Sequence, residues 1–104
     1  MARFDIYPNP SQNLHVPFLL DVQSDLLSAL DTRVVVPLRR VDSFPAGALP
    51  KHLSPIFDVA GISCFMETPK LAAVPAKILK SPVATVADQH PNITAALDFL
   101  FQGF

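Results

Sequence analysis

The sequence has no tryptophan, a single cysteine and three glycines. A lone thiol, Cys64, excludes an intramolecular disulfide framework and suits a reducing compartment. It sits in the apolar run Gly61-Ile-Ser-Cys-Phe-Met66, where a cysteine ordinarily serves as a small, inert, buried hydrophobe. So few glycines leave no loop of the kind that cradles phosphate. Charge is scarce too: 16% of residues are Asp, Glu, Lys or Arg, against roughly 25% in an ordinary domain. A net charge of −1 provides no basic footprint for nucleic acid, and Arg39-Arg40, the one basic doublet, reads as solvated loop charge. No apolar run approaches the ~18 residues of a membrane span. Asp5 interrupts the opening residues before the apolar core of a secretory signal forms, so the expectation is a cytoplasmic protein without membrane contact.

What is abundant is apolar surface and proline. Half of the 104 residues are hydrophobic. The length predicts one domain over residues 1–104, and a domain this small with so little charge is expected to bury part of its surface in an oligomer or against a partner. Eleven prolines, from Pro8 to Pro91, oppose long helices over most of the chain. Short strands between proline-marked turns fit better. Phe4-Asp5-Ile6-Tyr7 alternates as a strand and stops at Pro8-Asn9-Pro10-Ser11. Val16 to Val22 is the next apolar run, with Pro17 marking an edge position or a strand start. Asp21 to Asp25 breaks that run, and residues 26–32 read as a loop. Arg33 to Leu38 is a β-branched strand that does not alternate, and so is expected to be buried on both faces. Residues 39–55 read as a long connection. Pro55 to Val59, a turn at Ala60-Gly61 and Ile62 to Met66 form a hairpin pattern. Leu71 to Leu79 is a strand region interrupted by Pro75, and Thr85 to Gln89 can form a helical turn.

The last fourteen residues change period. Ile93, Ala96, Leu97, Leu100, Phe101 and Phe104 fall on one stripe of a helix that starts near His90, with Pro91 in its first turn. The stripe is expected to face the core through Phe101, and Gly103 to let the final aromatic turn away. Mainly β structure, a small antiparallel sheet or barrel with one C-terminal helix, is therefore predicted.

Catalytic chemistry is hard to place. His15, His52 and His90 are scattered without ligand spacing, so neither a metal site nor a cofactor is expected. Asp21 and Asp25 are four apart, but turn-forming or capping aspartates are the commoner explanation for such a pair. Read from its residues alone, the chain is a binding module rather than an enzyme, with its partner unidentified.

Three blocks carry a resemblance. Phe18-Leu-Leu-Asp-Val-Gln-Ser-Asp-Leu-Leu27, Thr32-Arg-Val-Val-Val-Pro-Leu38 and Ala73-Val-Pro-Ala-Lys-Ile-Leu79, followed by the Ile93 to Gly103 helix, resemble the CcdB family in the same order. The likeness is weakest over residues 39–72. The family comprises the toxin halves of toxin–antitoxin pairs. The resemblance implies an SH3-like antiparallel β-barrel with a C-terminal helix, assembled as a homodimer. It implies a non-catalytic toxin that binds the A subunit of DNA gyrase and traps it on cleaved DNA. A CcdA-like antitoxin would strip the toxin from gyrase, and the pair would reach operator DNA only as a complex that represses their operon. Carried over residue by residue, gyrase contacts fall on Ser24, Leu26 and Leu27, and on Gln102, Gly103 and Phe104; dimer contacts fall on Leu97, Leu100 and Phe101. Where the best-known members end in Trp-Gly-Ile, this sequence has Gln102-Gly103-Phe104. Two other functions stay open: a non-toxic member that only binds antitoxin and represses, and an endoribonuclease on a related barrel, with Arg33 and Arg39-Arg40 as its phosphate-binding cations.

Overall fold

One long strand organises the sheet. In the computed structural model, which describes residues 2–44 and 52–103, strand β3 (Thr32–Arg40) is nine residues long. It is flanked by β2 (Phe18–Asp21) on one side. Its other side is shared between β6 (Ala72–Pro75), which pairs with Thr32 to Val35, and β5 (Ile62–Met66), which pairs with Leu38 to Arg40. β4 (Ile56–Val59) extends the sheet beyond β5, while β1 (Asp5–Pro8) and the short β7 (Ala84–Thr85) extend it beyond β2. Among the described residues all pairings are antiparallel, and the sheet curls into a nearly closed barrel beside one α-helix, α1 (His90–Gln102). This is the fold class expected from the sequence.

Successive strand residues point to opposite faces, and in the central strands both faces are covered. Ile6, Leu20, Val36, Leu38 and Met66 point inward to one cluster, which Phe57, Val59, Ile93 and Ala96 complete. Their chain neighbours Tyr7, Leu19 and Val35 point to a second, smaller cluster with Leu79. Leu19-Leu20 and Val35-Val36 do not alternate in the sequence because neither face meets water. Pro17 lies just before β2, an internal strand, so of its two expected positions the strand start is the one found.

The β4–β5 hairpin lies where its sequence pattern put it. Ala60 and Gly61 both adopt positive φ, +51° and +82°, as a two-residue primed turn requires for its twist to match the strands. The helical turn before Pro91 is the 3₁₀ segment Ala87–Gln89, and α1 begins at His90.

Three expectations need correction. Arg39 and Arg40 are not loop residues; they continue β3 opposite Phe65 and Cys64. Arg40 is held at the strand end by a two-pronged ion pair with Asp42, at 2.9 and 3.0 Å, so two adjacent charges did not end the strand. The 39–55 connection is correspondingly shorter and opens with the 3₁₀ turn Val41–Ser43; residues 45–51 lie outside those described. The Leu71 to Leu79 strand stops at Pro75, which lacks the N–H to continue a ladder, and passes into the 3₁₀ turn Ala76–Ile78.

Ala60 is the strained member of its turn, since an L-residue with a Cβ pays for left-handed geometry. Ala60→Asn should raise stability by about 0.5–1 kcal/mol. A shift of the urea midpoint to higher concentration at unchanged slope is the expected result.

Candidate functional site

At the end of β2 the chain leaves the sheet through a set of buried polar residues. Asp21 is fully buried, and its Oδ2 receives Nε and Nη2 of Arg33 at 2.8 and 2.7 Å; Arg33 is itself only 1% exposed. The other carboxylate oxygen accepts the backbone N–H of Gln23 at 3.0 Å. Val22 still donates to the Val34 carbonyl, but the Val34 N–H is not returned to backbone; it donates to Oε1 of Gln23 at 3.0 Å. A side-chain carbonyl thus replaces a main-chain one, and the backbone is released from the sheet without orphaning a donor. The Nε2 of Gln23 donates to the Leu27 carbonyl at 3.1 Å, across the turn that follows.

That turn is the 3₁₀ segment Asp25–Leu27. Ser24 caps it, its hydroxyl accepting the Leu26 N–H at 3.2 Å. Asp25 accepts the backbone N–H of Arg3 at 2.8 Å, while Nε of Arg3 donates to the Val22 carbonyl at 3.0 Å. Asp21 therefore holds local backbone, as anticipated for a turn former, and has an ionic partner in addition, whereas Asp25 ties the turn to the distant backbone of Arg3. With its polar groups committed inward, the turn presents its side chains outward. Leu26 is 94% exposed, and Leu27 and Leu30 are about half exposed.

The second group of expected site residues lies at the end of α1. Ile93 and Ala96 are buried in the inner cluster, Leu97 and Leu100 are half-buried, and Phe101 is 71% exposed. Phe101 is thus not in the core of this chain, contrary to the expected stripe. At ~100° per residue, Ile93, Ala96, Leu97 and Leu100 centre on one direction, and Phe101 lies about 90° from it. Gln102 and Gly103 are exposed, and Gly103 ends the helix at φ +80° with its N–H donating to the Phe99 carbonyl at 2.9 Å. Phe104 lies outside the described residues.

Other polar and titratable groups do not converge. His90 stacks on Phe4 and His52 tilts against Phe99, with ring centroids 6.3 and 5.3 Å apart. Among the described residues no group of three or more metal-ligating side chains comes together. Burial pushes the Cys64 thiol above its ordinary range. A cleft of about 240 Å³ between α1 and β4 is lined by His52, Pro55, Ile56, Asn92 and Ala95; of the three histidines considered in the sequence it contains His52 alone. Arg33, offered as a cation for phosphate, is consumed by Asp21 inside the protein. What the described surface offers is exposed apolar side chains on a hydrogen-bonded turn and on a helix end, surface of the kind that marks interaction sites.

Reading the sequence missed Gln23 and the Asp21–Arg33 pair as a unit. The pair had a signal: an aspartate ending one all-apolar strand and an arginine opening another must find partners if the strands are buried. Burial pushes the Asp21 carboxyl above its ordinary value despite the lowering by Arg33 and the Gln23 N–H, so desolvation outweighs the attraction at this site. With a raised folded-state pKa, the stability linked to Asp21 is fully present below the ordinary carboxylate pKa and is lost as pH rises through the raised one. Asp21→Asn should remove that decline from a stability–pH profile. Arg33→Met, which strands the carboxylate, should cost about 3–5 kcal/mol in chemical denaturation near neutral pH.

The model of the CcdB protein family matches residues 3–103, a span that includes the leucine turn, β3 and the helix end through Gly103. The chain therefore belongs to the CcdB family, the toxin side of toxin–antitoxin pairs.

Proposed function

We propose that this protein is a toxin that binds the A subunit of DNA gyrase and traps the enzyme on cleaved DNA, acting as one domain across residues 1–104 without catalysis of its own. The observation that carries the reading is the exposure of Leu26, Leu27 and Phe101 in a family member with so little charge to solvate its surface. Ser24, Leu26 and Leu27 form one contact group for the target, and Gln102, Gly103 and Phe104 the other. Leu97, Leu100 and Phe101 form the seam of a homodimer, whose two-fold symmetry suits a two-fold target. Burial in that seam gives Phe101 the cover it lacks within one chain. A CcdA-like antitoxin neutralises the dimer, and together they repress their operon, touching operator DNA only as the complex. A cytoplasmic site of action follows from these partners; no described helix is long and apolar enough to cross a membrane.

A second reading, antitoxin binding and repression without toxicity, is favoured by one feature: Gln102 stands where the family's best-known members have tryptophan, and a glutamine has no aromatic face for a cation. That loss is worth about 0.5–2 kcal/mol per site. The endoribonuclease reading loses support from the burial of Arg33 and from the pairing of Arg40 with Asp42.

Expression in paired hosts, one with ordinary gyrase and one with a gyrase allele resistant to this toxin class, tests the proposal. Growth arrest in the first host alone is expected; survival of both would leave the non-toxic reading, and arrest of both would remove gyrase as the target. Deleting residues 102–104 should abolish toxicity and leave a folded dimer, read by circular dichroism and sedimentation, because the core residues of α1 precede the cut. Gln102→Trp should tighten binding to the gyrase A subunit by about 0.5–2 kcal/mol in calorimetry.

A further inference from the structure

Gln23 uses every polar group it has. Its backbone N–H donates to Asp21 Oδ1 at 3.0 Å, and its backbone carbonyl accepts from Arg33 Nη2 at 3.5 Å. Oε1 accepts the Val34 N–H, and Nε2 donates to the Leu27 carbonyl. It is buried, while the turn it spans carries the exposed Leu26 and Leu27, with Leu30 exposed just beyond it. The side-chain amide therefore ties the far end of an apolar protrusion to the central strand of the barrel. None of the three leucines is packed in either hydrophobic cluster.

We propose that Gln23 is a positioning residue for target binding: without touching the target, it holds the Ser24–Leu27 turn in the conformation that the target accepts. This rests on the reading that the turn contacts the gyrase A subunit. A protrusion fixed before the encounter does not lose freedom on binding, and one that is competent only part of the time binds more weakly by that fraction.

Gln23→Glu isolates the tie. A carboxylate keeps an acceptor for the Val34 N–H but has no donor for the Leu27 carbonyl; once protonated, its O–H restores that donor. The charged groups around it are Asp21 and Arg33, bonded to the Gln23 backbone, Arg3, whose guanidinium donates to the Val22 carbonyl, and Asp25, which accepts the Arg3 backbone N–H. Wild-type protein run at each pH accounts for their own titration.

The experiment measures affinity for the isolated gyrase A subunit at pH 8 and pH 5, together with amide hydrogen exchange, for wild type, Gln23→Glu and Leu26→Ala. Expected is a loss of about tenfold for Gln23→Glu relative to wild type at pH 8, from one missing hydrogen bond and the repulsion of a carboxylate oxygen facing the Leu27 carbonyl, which then keeps only the Leu30 N–H. The gap should narrow at pH 5, and faster exchange should be confined to residues 25–30. Leu26→Ala should weaken binding equally at both pH values. Wild-type affinity for Gln23→Glu at pH 8, or a loss that does not narrow on acidification, would overturn the proposal. If wild type itself does not bind the subunit, the reading beneath the proposal fails, and the proposal fails with it. Should Gln23→Glu not fold at pH 8, Gln23→Met, similar in volume and uncharged, is measured instead. A folded Met variant that binds like wild type overturns the role, and one that does not fold assigns Gln23 to the fold rather than to positioning.

Discussion

Strand β3 must satisfy hydrogen bonds on both sides along nine residues, and the rest of the barrel is arranged to let it. One side is taken by β2, and the other is divided between β6 and β5. Where β2 runs out, just past Asp21, the Val34 N–H would be left short of a main-chain partner inside the protein, a cost comparable to a lost hydrogen bond. Gln23 meets that demand with its side-chain carbonyl while Asp21 holds the Gln23 N–H and the Arg33 guanidinium, and the exposed leucine turn is the shape the main chain takes as it departs. The surface feature that the proposed function uses is thus a by-product of how the sheet ends.

Much of this was legible in the sequence. Proline spacing limited the chain to short strands, the Ala60-Gly61 turn located the hairpin, and the switch from period two to a helical period located α1. The non-alternating valines correctly announced a strand buried on both faces. What failed did so for identifiable reasons. Arg39-Arg40 reads as loop when charge is set above backbone pairing, yet a strand end can keep its main chain in the ladder while its guanidiniums lie beside Glu67 and Asp42. Phe101 falls on the apolar stripe yet outside the core, because such a stripe on a helix does not say where its buried edge lies. Gln23 was invisible because its role depends on which backbone groups are orphaned, and that is settled only once the strands are paired.

The apolar surplus of the composition divides in two. One part fills the two clusters on either face of the sheet. The other remains outside, on the turn after β2 and on the helix end, carried by elements anchored to the core through Gln23, Arg3 and the buried turns of α1. Anchored apolar surface of this kind costs little conformational freedom on association, a property that the proposed binding role uses.

The buried Asp21–Arg33 pair has a consequence for how the chain finds its alignment. Val34, Val35 and Val36 are identical in shape, so sliding β3 by one residue against β2 would exchange like for like along much of the core. Valines alone cannot tell one alignment from the next. Such a slide would, however, send Arg33 to the opposite face, away from Asp21, and leave two charges unpaired inside the protein. The ion pair adds little to stability in the aligned state, because desolvation consumes its attraction. Its larger effect falls on the misaligned states, which it excludes.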